Sequence, residues 1–352
     1  MTSTLRPRNR EEISRHAASA TSRQMPSVSA VVCAYTFARW GLLCAAIESL
    51  RAQTVVPHEI ILCIDHNPEL ARWCRDRWSC DTTPPAVRVV ENRYPGRLGS
   101  SRNTAVELAT GDIVAFLDDD ARAHHSWLQD LLASYASDPR CMAVGGAPVP
   151  HFDVPRPAWF PFEFDWVFGC AYRGVPMQRS KTRRLIGANM SARRSAIVAV
   201  GGFHSDDHDD MDLSHRIAHR YGGEAVIFDP AVRVTHHVSR DRLTWAYFWR
   251  RCFHVNKGKV LAFRDMEDAG SLIAESLFAA RTIGVGVPRY LATGTRYGLL
   301  RALAAVAGIT LAAAGHVAGR VKLALGRAEA SRTVGLAIVD EVDLPISRAA
   351  AR

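Results

Sequence analysis

A chain of 352 residues is long enough to bury a substantial core, and its 48% apolar content is that of a globular protein, which excludes a disordered or low-complexity chain. The formal net charge of +9, from 44 Lys and Arg against 35 Asp and Glu, favours an anionic partner: nucleic acid, a phosphorylated small molecule or an anionic membrane surface. Eight cysteines form no C-x-x-C pair, and Cys33, Cys63 and Cys141 lie inside apolar runs, so they read as reduced core residues of a cytosolic protein.

Residues 1–26 are polar and rich in Ser, Thr and Arg, with no apolar stretch able to serve as a secretory signal; they read as a disordered tail. Order begins at Ser27. Residues 28–35 have the composition of a buried strand, and 39–53 have helical spacing with Leu42, Leu43, Ala46, Ile47 and Leu50 on one side. A second strand at 59–64 ends at Asp65, helical residues follow at 69–78, and a third short strand lies at 87–90. Strand and helix alternate, so a doubly wound α/β fold with a mostly parallel sheet flanked by helices is expected.

Such sheets bind ligands beyond the carboxyl ends of their strands. Residues 95–103, PGRLGSSRN, open a helix whose free N–H groups, with Arg97 and Arg102, suit a phosphate; a capped helix with solvated arginines fits the same residues. The stretch 113–120, IVAFLDDD, then places Asp118, Asp119 and Asp120 where a fourth strand should leave the sheet. Three adjacent carboxylates raise one another's pKa unless a cation compensates, which points to a divalent metal. A solvated turn capping a following helix is the plainer alternative.

The order and spacing of VSAVVCAYTFARWGLLCAAIESLRAQ, EIILCIDHN and GRLGSSRNTAVELATGDIVAFLDDD resemble the nucleotide-sugar-binding half of the family 2 glycosyltransferases, with the GT-A fold. The resemblance implies that Ala34, Tyr35 and Asp65 hold the nucleoside base, and that Asp118, Asp119 and Asp120 contact the ribose and ligate a metal, Mn or Mg, bridging the diphosphate. It also implies a loop beside the donor phosphates at GANMS, which contains Asn189, and a general base in the acidic pair Asp209–Asp210 before Met211-Asp212-Leu213-Ser214, Asp210 being the base by position. Family members usually carry Glu-Asp there, so the shorter first carboxylate leaves open which of the two faces the acceptor. His236 or His237 would complete the metal site, and Arg250 and Arg251, on a helix with Trp245, Phe248 and Trp249, would steady the leaving diphosphate.

The aromatic stretch WFPFEFDWVFGCAY at 159–172 suits a core somewhat better than a sugar platform. It resembles a subset of the family acting on polyprenyl-phosphate-linked sugars, glucuronosyltransferases among them. Beyond residue 263 the resemblance ends. Residues 271–286 read as an apolar helix interrupted at Pro288, and 302–315 as an alanine-rich run too short to cross a bilayer, hence a helix in the membrane interface with Arg320, Lys322 and Arg327 near anionic head groups, or one packed on the catalytic domain.

The expected organisation is therefore a GT-A domain over 27–264, with a nucleotide half at 27–123 and an acceptor half at 124–264, a helical segment at 265–330 and a tail at 331–352. The expected activity is inverting transfer from a nucleoside diphosphate sugar, UDP-linked, to a lipid-linked or cell-envelope glycan, with a peripheral membrane contact at the cytoplasmic face. A catalytically silent scaffold or carbohydrate-binding module is the non-enzymatic alternative, which loss of the acidic triplet or pair would have favoured. A sugar nucleotidyltransferase would want a Gly-rich, lysine-bearing N-terminal signature, which VVCAYTFARW lacks. Nucleic acid is set aside because the aromatics gather in one loop without interleaved Lys and Arg.

Overall fold

The computed structural model describes residues 25–81, 83–204, 208–263 and 269–325. The tail expected at 331–352 lies outside the described residues, as do Arg327 and all but the end of the tail expected at 1–26.

The first half alternates as its sequence requires: β1 (Val28–Ala34), α1 (Trp40–Arg51), β2 (Glu59–Ile64), α2 (Pro68–Trp78), β3 (Val87–Glu91), α3 (Leu98–Leu108) and β4 (Ile113–Asp118). The short β5 (Ala121–Ala123) and α4 (Trp127–Ala136) follow. The runs in β1, β2 and β4 are apolar throughout because both sheet faces are covered. Ala30, Val32, Ile60, Leu62, Ala115 and Leu117 pack with Ile47, Leu50, Leu70, Trp78 and Trp127 on one side. Their neighbours Val31, Ile61, Val114 and Phe116 pack on the other with Val106 of α3 and residues from the second half.

The second half contributes β6 (Ala143–Phe152), β7 (Ser180–Lys181), β8 (Asn189–Arg193), α5 (Arg194–Ala199), α6 (Asp209–Tyr221), β9 (Val226–Val238) and α7 (Trp245–Ala262). One nine-stranded sheet in the order β3-β2-β1-β4-β8-β6-β9-β5, with β7 on β9, runs through both halves. It is parallel from β3 to β4 and mixed beyond, because β8 joins β4 and β6 antiparallel. β9 is far longer than the short strand legible at 225–228, and its outer part pairs with β5 so that His236 lies opposite Ala121. That pairing carries a histidine from the end of the fold to the edge of the acidic triplet.

The C-terminal segment forms α8 (Ala269–Arg281), a π turn at Thr282–Gly286, α9 (Val287–Leu291) and α10 (Arg296–Ala324). Pro288 does not end the helical course expected to stop there: the backbone at Arg281, Gly286 and Val287 stays right-handed helical, passing through the π turn just before the proline, and the chain breaks instead near Gly294, at φ +63°. The alanine-rich run is part of a single 29-residue helix, about 43 Å long. α10 lies parallel to α7. A Cβ at Gly308 would meet the Phe164 and Phe248 rings, one at Gly315 would come 2.2 Å from the Phe253 carbonyl oxygen, and one at Gly319 would come 2.8 Å from that of Lys257. The aromatic stretch is core: Phe160, Phe164 and Phe168 are buried with Phe248, Cys252 and Ala305, and Trp159 stacks on Trp245 with ring centroids 3.8 Å apart.

Candidate active site

The carboxyl ends of β1, β2 and β4 form one edge. There the Ala34 carbonyl accepts the Asp65 N–H at 2.8 Å, and Asn92 donates to the Asp65 carboxylate at 2.9 Å. Tyr35 is exposed, and the Arg39 guanidinium lies 5.7 Å from its ring centroid. Ala34, Tyr35 and Asp65 are thus brought together at the strand edge that also carries Asp118.

Asp118 ends β4 and the next two carboxylates occupy the turn into β5. Asp118, Asp120 and His236 can each present one ligand atom, all within 4.8 Å of one another. His236 Nε2 stands 3.1 Å from Asp120 Oδ1 and 4.0 Å from Asp118 Oδ2. Two carboxylates and an imidazole are a donor set that suits Mn, and Asp119 Oδ2 is buried without a hydrogen-bond partner, an acceptor awaiting a donor or cation. His237, the other candidate ligand, is not part of this group: successive strand residues face opposite ways, and its ring pairs with Asp153.

Basic groups hold the triplet in place. Arg39 approaches Asp119 Oδ1 at 2.7 Å and Asp120 Oδ2 at 3.1 Å, and Arg242 reaches Asp120 Oδ2 at 3.4 Å. Burial pushes Asp119 up to about 6, Arg39 only partly offsetting it. Burial acts on Asp120 in the same direction, but the hydrogen bond and charge of His236, with Arg39 and Arg242, hold it below the usual range. The sequence reading missed both arginines. Arg39 carries a signal, since it opens the helix after the first strand; Arg242 could be found only by knowing that β9 reaches the triplet.

Arg102 and Asn189 have other partners than those expected. Arg102 turns inward, 2% exposed, and binds Asp118 Oδ1 at 3.1 Å, Asp209 Oδ2 at 2.5 Å and the Gly187 carbonyl at 3.1 Å. Its fork joins the triplet to the acidic pair, so it orients carboxylates and has no outward face for a phosphate. Asn189 is buried, accepting from Trp127 Nε1 and donating to the Val232 carbonyl, both at 2.8 Å, and these contacts fasten β8 rather than face a ligand. Arg97 stands exposed at the N-cap of α3. Arg250 and Arg251 are exposed on α7, Arg251 donating to the Val167 carbonyl, and the arginines that touch the triplet are Arg39, Arg102 and Arg242.

The acidic pair opens α6, where the first turn favours negative charge. Asp209 is buried against Arg102. Asp210 is half-buried; its Oδ2 accepts the Gly187 N–H at 2.8 Å and its Oδ1 accepts the Met211 N–H at 2.7 Å. Burial raises both carboxyls above the ordinary aspartate range, with Arg102 opposing. The arrangement sets the Asp118–Asp120–His236 cluster and the Asp209–Asp210 pair on either side of one buried guanidinium.

The glycosyl transferase family 2 model matches residues 29–201. The glucosyl-dolichyl phosphate glucuronosyltransferase of Haloferax volcanii is 33% identical over 237 residues, covering 63% of this chain and 74% of that protein. The pre-mycofactocin glycosyltransferase of Mycobacterium tuberculosis is 26% identical over 212 residues, which is 58% of this chain and 44% of that longer protein. Among solved structures, a mannosyltransferase from Pyrobaculum calidifontis, in complex with GDP-Man and Mn2+, superposes with a TM-score of 0.55 at 20% identity, over 87% of this chain and 89% of that one. With these relatives and this arrangement of strands and acidic residues, the chain belongs to glycosyl transferase family 2 and has the GT-A fold.

Proposed function

We propose that this protein is an inverting, metal-dependent glycosyltransferase that moves a sugar from a UDP-sugar to a polyprenyl-phosphate-linked glycan at the cytoplasmic membrane face. The observation that carries the reading is the continuity of Asp118, Asp120 and His236, through Arg102, with Asp209 and Asp210. Asp118, Asp120 and His236 would hold the cation, which supplies neutralisation of the departing diphosphate. Ala34, Tyr35 and Asp65 line the place for the base of the nucleotide. Asp210 accepts the acceptor hydroxyl proton: it is the more accessible of the pair, and a carboxylate receiving two N–H groups keeps lone pairs for a third. Attack opposite the leaving group inverts the anomeric carbon in one displacement. The lipid-linked acceptor is supported by the Haloferax relative, whose name places it on dolichyl phosphate.

The test is the thermal unfolding shift with UDP, GDP, CDP and ADP, each with and without Mn2+. UDP with Mn2+ at a hundred times its dissociation constant should stabilise the protein by about 2.7 kcal/mol, and Asp120→Ala should abolish the metal-dependent part. A shift with no nucleotide, or one indifferent to metal and to Asp120→Ala, would sink the reading.

The membrane contact rests on α10. By length and composition this helix could cross a membrane, and a third of its most apolar stretch is buried. Its small residues, however, fasten it to α7, which exposes Arg250, Arg251 and His254. Crossing would drag these polar side chains, two guanidinium charges among them, into hydrocarbon, so the helix lies in the interface with its outer face, Leu299, Leu303, Val306, Val317 and Val321, toward lipid. A groove of about 540 Å³ between Trp245, Trp249, Leu300, Leu303 and Ala307 opens on that face. Leu303→Glu should lower co-sedimentation with anionic phospholipid vesicles several-fold while leaving the UDP–Mn2+ shift intact; unchanged sedimentation would place lipid elsewhere.

A further inference from the structure

The thiol of Cys170, buried at the end of the aromatic stretch, lies against the histidine of the acidic cluster. His236 turns Nε2 toward Asp120 at 3.1 Å and Asp118 at 4.0 Å. Its other ring nitrogen, Nδ1, stands 3.5 Å from Cys170 Sγ, within hydrogen-bond reach of sulfur, and the same sulfur lies 3.9 Å from the Phe168 carbonyl oxygen. Both residues are out of water, Cys170 fully buried and His236 3% exposed, so neither ring nitrogen has a solvent partner to fall back on.

The backbone places the sulfur. A run of 3₁₀ turns over Phe162–Phe168 closes at Gly169, whose φ of +75° lies in the left-handed region that glycine adopts without cost. The chain then reverses, so that the Cys170 N–H donates to the Asp165 carbonyl at 3.2 Å and the Ala171 N–H to the Pro148 carbonyl of β6 at 2.8 Å. The Asp165 side chain is itself gripped by Arg156 at 2.6 Å, and Phe160, Phe164 and Phe168 bury the apolar side of the turn. A Cβ at Gly169 would lie 3.7 Å from His236 Cε1, so the turn packs against the edge of the ring as well as meeting its nitrogen.

An imidazole that ligates a metal through Nε2 keeps that nitrogen free of hydrogen, so the neutral ring carries its hydrogen on Nδ1. Metal-bound histidines hand this hydrogen to a neighbouring acceptor, which fixes both the tautomer and the plane of the ring. A thiol is a weak acceptor and a weak donor, and here it is placed to act as both, taking the Nδ1 hydrogen while its own points to the Phe168 carbonyl. We propose that Cys170 is a positioning residue for the metal site, accepting from His236 Nδ1 and holding the ring so that Nε2 faces Asp118 and Asp120. This rests on the metal-dependent reading of the donor site. It gives the stretch at 159–172 two tasks: its rings fill the core, and its last turn orients a ligand.

The experiment measures Mn2+ binding to the full chain in the presence of UDP, read from the electron paramagnetic resonance of unbound Mn2+. Cys170→Ala should weaken Mn2+ by roughly 10- to 100-fold, the usual cost of removing such a partner. Cys170→Ser, whose hydroxyl both accepts and donates, should recover most of that loss. In a His236→Ala background, where Asp118, Asp120 and UDP still offer oxygen ligands, Cys170→Ala should cost little further, as expected of two residues acting through one bond. Wild-type Mn2+ affinity in Cys170→Ala, a serine variant as weak as the alanine one, or an equal loss with and without His236 would overturn the proposal; the last result would mean that the thiol supports the loop and not the ring. A wild type that binds no Mn2+ beside UDP would defeat the cation site itself.

Discussion

Asp210→Asn is expected to lower kcat by roughly 10²- to 10⁴-fold while UDP still binds in a metal-dependent way. The substitution preserves the volume of a half-buried side chain and keeps one oxygen to accept a backbone N–H, from either Gly187 or Met211. The other N–H would face an amide nitrogen and lose its partner, a stability cost of about 1–3 kcal/mol. What disappears is the capacity to take a proton. Asp209→Asn provides the contrast, because Asp209 is bound to Arg102 at 2.5 Å and its loss leaves a buried guanidinium short of a counter-charge. That variant should fall in thermal stability along with activity, whereas Asp210→Asn should lose activity with a smaller change in unfolding temperature. Steady-state kinetics and a melting curve on the two proteins separate the roles. Near-normal turnover in Asp210→Asn would move the base elsewhere.

The parallel half of the fold is legible because its signals are local. Strands buried on both faces must be continuously apolar, and the helices between them show a one-sided stripe, so β2 falls on the run at 59–64 without displacement. Asp118 to Asp120 are legible for the same reason: carboxylates at the end of such a run have no local purpose. What depends on pairing is not. Choosing between His236 and His237 requires the register of β9 against β5, and a one-residue shift would exchange them. Arg102, expected at a helix start, and Asn189, expected in a loop beside the donor, each meet a partner distant in sequence, Asp209 for the first and Trp127 for the second. The full length of α10 is not legible because its uncharged run, 302–315, is only its middle. Arg301 and Arg320 sit on the same helix, which the packing of Gly308, Gly315 and Gly319 on α7 holds as one piece.

Arg102→Met should produce the largest loss of stability of any single change at the site, about 3–5 kcal/mol, or an unfolding temperature lower by roughly 6–20 °C. Methionine fills much of the space between the Phe116 and Phe203 rings, which lie 5.6 and 5.7 Å from the guanidinium carbon, so packing is largely retained. The charge is not: Asp118 and Asp209 lose their common counter-ion while Asp209 stays buried. Burial already raises Asp209 and Asp210, with Arg102 opposing, so its removal drives them higher. A carboxyl whose folded-state pKa lies above its unfolded value stabilises the fold at low pH and ceases to do so as pH rises through the folded-state value. The deficit of Arg102→Met relative to wild type should therefore be smaller at pH 5 than at pH 8. Arg102→Lys keeps one charge but cannot span both carboxylates and should fall between the two proteins. Mn2+ with UDP should recover part of the loss, since a cation at Asp118 and Asp120 relieves the same repulsion from the other side. An Arg102→Met protein that melts with the wild type at every pH would show that the guanidinium holds nothing in place, and the link between triplet and acidic pair would have to be sought in the backbone at Gly187.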